Sequence, residues 1–128
     1  MDAKDTRSPL ARAIGLGSAK HGVEHWWAER VSAIVLIPMT LWFVASIIAY
    51  SNSDHADLIA WLKSPLTNIP MILLLGASFY HMSLGLQVII EDYVHSGAKY
   101  VAVIAVRLVC FSLASAGIMA ILSIAFGQ

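Results

Sequence analysis

The sequence predicts an all-α membrane protein with three transmembrane helices, a cytoplasmic N-terminus and a short N-terminal arm or interfacial helix. Two observations carry the class. The chain of 128 residues is 59% hydrophobic and only 12% charged, whereas a soluble domain carries about 25% charged residues. Its apolar residues gather into three long runs joined by short polar links, the pattern of a chain whose backbone must satisfy itself within helices. Zero net charge argues against nucleic acid as a partner. The lone cysteine, Cys110, sits in an apolar run and reads as a small buried hydrophobe. It excludes an intrachain disulfide framework and a cysteine-rich metal site.

Residues 1–30 read as a polar arm with Lys4, Arg7, Arg12 and Lys20, together with Gly15 and Gly17. Trp26 and Trp27 suit a membrane interface, so a short interfacial helix within residues 12–29 fits there. No cleavable signal peptide is expected, because the first apolar run begins after residue 30 and is too long for a signal core. Acids in the head make a mitochondrial presequence a poor fit. With short loops and no repeat, residues 1–128 read as one membrane-anchor domain.

The first span is residues 31–50, VSAIVLIPMTLWFVASIIAY, without a charge. At ~1.5 Å per residue it covers a core of about 30 Å. Pro38 is tolerable because neighbouring helices satisfy the freed carbonyl. Ser32, Ala33, Thr40, Ala45 and Ser46 offer small surfaces for helix contact. Residues 51–68 form a polar link, punctuated by Pro65 and Asn68. A short interfacial helix over residues 58–62, anchored by Trp61, fits inside it. His55 beside Asp54 reads as a solvated loop residue.

The second span is residues 69–90, with Pro70 suited to its first turn. Glu91 and Asp92 close it, and the chain turns through Ser96 and Gly97. The third span is residues 100–126, interrupted by Arg107. Five of the eight basic residues precede the first span, and Lys99 lies at the second turn. The positive-inside rule therefore puts the N-terminus and the second turn in the cytoplasm. Asp92, Tyr93 and Arg30 then share the cytoplasmic face.

His81 is the residue that needs a reason. It lies eleven residues before Asp92, roughly 16 Å from that end by helical rise and near the bilayer midplane. An ionisable group at that depth is a functional-site hypothesis. A neutral imidazole offers one lone pair, which suits a metal such as haem iron. A hydrogen bond between helices and a proton relay are the other readings. Gly85, one turn on, removes bulk beside the histidine and lets a flat ring or a neighbouring helix approach. His21, His25, His55 and His95 all fall outside the three spans. If His81 binds haem, the second axial ligand is expected from a partner chain. Asp92 falls about 20° from His81 around a helix, and Tyr93 about 120° away. A phenol donor beside a carboxylate suits a carbonyl oxygen and proton relay, the task in quinone reduction. Helix-end solvation for Glu91 and interface anchoring for Tyr93 are the plain alternatives.

HMSLGLQVIIEDYVH, with His81, Gly85, Gln87, Asp92, Tyr93 and Val94, resembles the second helix of the small hydrophobic membrane-anchor family of succinate dehydrogenase, respiratory complex II. Gly22-Val23, followed by Arg30-Val31-Ser32-Ala33-Ile34-Val35-Leu36, is similar to that family's first helix. The resemblance implies His81 as an axial ligand of haem b, shared with the second hydrophobic anchor chain. It implies Tyr93 as the hydrogen-bond donor to ubiquinone, with Asp92 in support. Arg30 matches an arginine near the quinone pocket and the haem propionates, and a guanidinium suits a carboxylate; a snorkelling or lipid-headgroup contact is its other reading. The implied partners are the second anchor chain, the iron–sulfur subunit and the flavoprotein subunit. The implied location is the bacterial inner membrane. Succinate oxidation belongs to the flavoprotein, and no flavin fingerprint occurs here. Arg107 either snorkels or pairs with an acid or a haem propionate. His95 reads as interfacial. A fumarate reductase anchor, or a non-redox scaffold or transporter subunit with a structural His81, are the rival readings.

Overall fold

The computed structural model describes residues 8–15 and 22–127. Those residues are helical or connecting, with no strand among them. Lys4, Arg7, Lys20 and His21, and with them much of the expected arm, lie outside the described residues. A short helix, α1 (Pro9–Ala13), ends at Gly15, whose φ of 69° is the left-handed conformation that glycine adopts without cost.

Three helices are long and apolar enough to cross a membrane: α2 (Gly22–Tyr50), α4 (Pro65–Tyr93) and α5 (Ala98–Phe126). Each has 29 residues, about 43 Å at 1.5 Å per residue. They contain the three expected spans and overrun them. The nine residues before position 31 are the first turns of α2, so residues 22–29 of the stretch expected to hold an interfacial helix run on without a break into the first span. Hydropathy ends a span at its first charges, but a helix continues wherever propensity and pairing allow. Pro38 lies within α2 without ending it.

The link between the first two spans is more ordered than its polarity suggests. It holds α3 (His55–Lys63), longer than the expected residues 58–62. Asp54 caps α3 by accepting the Asp57 N–H at 2.9 Å, so Asp54 and His55 form a helix start. Trp61 stacks on Tyr50 with ring centroids 4.8 Å apart. Lys63 donates to the Gly127 carbonyl at 2.8 Å, tying the link to the end of α5. Ser64 alone separates α3 from α4. Pro65 opens α4, where its missing N–H costs nothing. Pro70 therefore lies inside the helix, not in its first turn.

α4 packs against both α2 and α5, so it is the central rod. Gly117 of α5 faces Leu75 of α4 so closely that a Cβ would displace the leucine side chain. Cys110 is buried, as its apolar setting predicts, along with Ser32, Thr67 and Leu84. In each crossing helix only 6% of the most apolar window is buried. Helices that are apolar all round and this uncovered need lipid or other helices around them.

Candidate functional site

Two faces of α4 carry polar chemistry, about 110° apart by helical geometry. The first holds His81, Gly85 and Asp92. The second holds Tyr80, Leu84, Gln87 and Glu91.

On the first face, His81 Nδ1 lies 2.9 Å from Ser32 Oγ of α2. The same hydroxyl donates to the Glu29 carbonyl at 2.9 Å. Ser32 is 7% exposed, so this contact is shielded from solvent. His81 Nε2 makes no hydrogen bond among the described residues. An interhelical hydrogen bond and a metal ligand are rival readings of His81 in the sequence. In the structure they are compatible, because they use different nitrogens of one ring. A Cβ added to Gly85 would meet nothing within 4 Å. Among the described residues none approaches there, so the space at Gly85, one turn from His81, is open. No group of three or more His, Cys, Asp or Glu able to hold a metal occurs among the described residues. One histidine beside open space fits iron already held by a porphyrin better than iron held by side chains alone.

Asp92 and Tyr93 are the last two residues of α4, and both are exposed. Tyr93 is 80% exposed, and its hydroxyl makes no hydrogen bond among the described residues. His95 is exposed in the turn that follows. Arg30 is exposed on α2, with its guanidinium carbon 5.5 Å from the centre of the Trp26 ring. A guanidinium over an indole face is held by the ring quadrupole and keeps its N–H groups free at the edge. Arg30 therefore stays able to meet an acceptor outside the chain.

The second face is built differently. Arg107 Nη2 of α5 donates to Gln87 Oε1 at 2.6 Å, and Gln87 Nε2 donates to Glu91 Oε1 at 2.7 Å. Gln87 thus joins a cation to a carboxylate it does not touch. The sequence leaves Arg107 to snorkel, or to pair with an acid or a propionate. The structure bonds it to Gln87, and through Gln87 to Glu91. A cleft of ≈ 490 Å³ lies beside this chain of bonds, with Glu24 and His25 of α2 opposite Tyr80. His25 Nε2 is buried and has no hydrogen-bond partner among the described residues. His25, outside the apolar span, is thus carried on the same helix as Ser32. Gln87→Leu is expected to lower the thermal unfolding midpoint of the detergent-solubilised assembly. It removes one interhelical bond worth ~0.6 kcal/mol and one i,i+4 bond within α4 worth about 0.2–0.5 kcal/mol. A cycle with Arg107→Leu should show the two losses to be non-additive.

Ser32 and Gln87 are the residues to which the sequence alone assigns no role in a site. Ser32 reads there only as a small packing surface. Its position three residues after Glu29 permits the back-bond to a carbonyl, a general habit of helix serines. Its pairing with His81 depends on how α2 and α4 are rotated.

The family model described as succinate dehydrogenase/fumarate reductase transmembrane subunit matches residues 4–114. The chain belongs to that family. The kinship expected from the His81 to His95 motif is borne out. Family members similar to it include the succinate dehydrogenase hydrophobic membrane anchor subunit of Rickettsia bellii (strain RML369-C), 40% identical over 81% of this chain and 84% of the relative. That of Paracoccus denitrificans is 30% identical over 76% of this chain and 75% of the relative. The succinate dehydrogenase membrane anchor subunit of Reclinomonas americana is 28% identical over 73% and 82%. No solved structure matches the chain.

Proposed function

We propose that this chain is the hydrophobic membrane-anchor subunit of a succinate:ubiquinone oxidoreductase in a bacterial inner membrane. It docks the flavoprotein and iron–sulfur subunits and pairs with a second anchor chain. His81 would hold a haem b shared with that chain, and Tyr93, Asp92 and Arg30 would line the ubiquinone site. The observation that carries the reading is the split use of the His81 ring. Nδ1 faces Ser32, while Nε2 has no hydrogen bond among the described residues and the space at Gly85 is open. The uncovered apolar faces of the three long helices support a life among lipid and other subunits. The excess of basic residues before α2 supports an N-terminus in the cytoplasm and, with it, a cytoplasmic end of α4 at Tyr93. Haem b, when bound, supplies a one-electron redox centre. His81 holds and orients it, and Tyr93 offers a donor to a quinone carbonyl.

Mild-detergent purification through a tag on this chain tests the reading. Three further subunits and a b-type absorption band are the expected yield. Recovery of the chain with neither would overturn it. A complex with fumarate-reducing subunits and no haem would move it to the fumarate reductase branch of the family.

A further inference from the structure

We infer that Ser32 is a positioning residue for His81: it sets which ring nitrogen carries the proton and how strongly the other donates to iron. This rests on the proposed role of His81 as a haem ligand.

The assignment follows from counting protons. A serine hydroxyl has one hydrogen and two lone pairs. The Glu29 carbonyl can only accept, and it lies 2.9 Å from Ser32 Oγ. The hydroxyl hydrogen is therefore directed there. The second contact of Oγ, at 2.9 Å to His81 Nδ1, must then be a bond in which Nδ1–H donates. The reverse arrangement, with the hydroxyl donating to Nδ1, would leave Oγ and the Glu29 oxygen facing each other with no hydrogen between them. The proton thus sits on Nδ1 and the lone pair on Nε2, away from α2. Metal-binding histidines are held in the same way, the distal N–H donating to an oxygen.

Ser32 does not need His81 for its own satisfaction. Its hydroxyl is already bonded to Glu29, so the second contact serves the imidazole. Ser32 is 7% exposed, and little water can replace it. A hydroxyl that donates to a carbonyl is polarised into a better acceptor, and the low dielectric of a helix interface strengthens both bonds. The pull on the Nδ1 proton places negative charge on the ring. That favours the more positive iron and keeps the ring from turning about its Cβ–Cγ bond. Two helices, not one, therefore define the ligand.

The test uses the whole complex purified through this chain. Three variants are compared: Ser32→Ala, Ser32→Cys, which keeps the size but accepts weakly, and Ser32→Thr, which keeps the hydroxyl. The readouts are the reduced-minus-oxidised haem spectrum, the g-values of the oxidised haem and an equilibrium redox titration. Ser32→Ala and Ser32→Cys should raise the reduced-to-oxidised ratio at fixed potential about tenfold, a midpoint increase of about 59 mV for one electron. Their g-values should shift as the ring loosens. Ser32→Thr should keep native values. Loss of haem from the alanine complex with retention in the threonine complex would also support the inference. Native potential and g-values in both the alanine and cysteine complexes would overturn it, as would a threonine variant that behaves like alanine. His81→Ala is read in parallel. A native haem spectrum there overturns the ligand reading and this inference together. Loss of haem in His81→Ala beside native behaviour in the Ser32 variants overturns this inference alone.

Discussion

His81→Ala is expected to strip b-type haem from the assembled complex, with the reduced-minus-oxidised band falling by more than about tenfold. Removing the partner of a metal-bound histidine costs about 10- to 100-fold in metal affinity, so removing the ligand costs at least as much. The structural penalty is small by comparison. The lost interhelical bond is worth at most ~1.7 kcal/mol in a membrane helix pair. Ser32 is not orphaned, because its hydroxyl still donates to the Glu29 carbonyl. Subunit recovery should therefore stay close to native while absorption disappears. An unchanged band in a fully assembled His81→Ala complex would sink the haem role, leaving His81 as a hydrogen bond between α2 and α4.

The crossing helices are legible in the sequence because a bilayer permits so few solutions. Three apolar runs had to be helices, and they are. Their ends are less legible. Glu24, His25, Glu29 and Arg30 look like a water-facing arm on a hydropathy scale, yet all four lie in α2. Length beyond the apolar window depends on propensity and local pairing, which hydropathy does not register. Proline misleads for a related reason. Pro65 and Pro70 are equally able to open a helix, and only the tight α3–α4 joint through Ser64 decides for Pro65.

The candidate site divides along the same line. His81, Gly85 and Asp92 share one face by spacing alone. Ser32 meets His81 across 49 residues, and Arg107 meets Gln87 across 20. Both contacts depend on the rotation of one helix against another. No periodicity within a single helix records that rotation. The exposure of Tyr93 and the open space at Gly85 likewise come from how the helices pack, which spacing along one helix does not register.

Tyr93→Phe should lower ubiquinone reduction by succinate about 100-fold, the usual cost of losing one donor aimed at an oxygen where charge develops. The hydroxyl can be removed without harm to the fold. Tyr93 is 80% exposed at the last turn of α4, and its hydroxyl holds nothing else among the described residues. Haem content should therefore be native. Electron flow from succinate to a soluble dye acceptor should also be native, because that flow ends before the quinone. This pairing of readouts separates the quinone role from interface anchoring. An anchoring phenol replaced by phenylalanine would leave quinone turnover intact, or would lower dye and quinone activity together as the complex loosened. A selective loss, with weaker binding of quinone-site inhibitors, is the result that only a hydrogen bond to the quinone oxygen explains. Undiminished turnover and inhibitor affinity would remove Tyr93 from the site and leave Arg30, with its guanidinium edge open beyond Trp26, as the donor to test next.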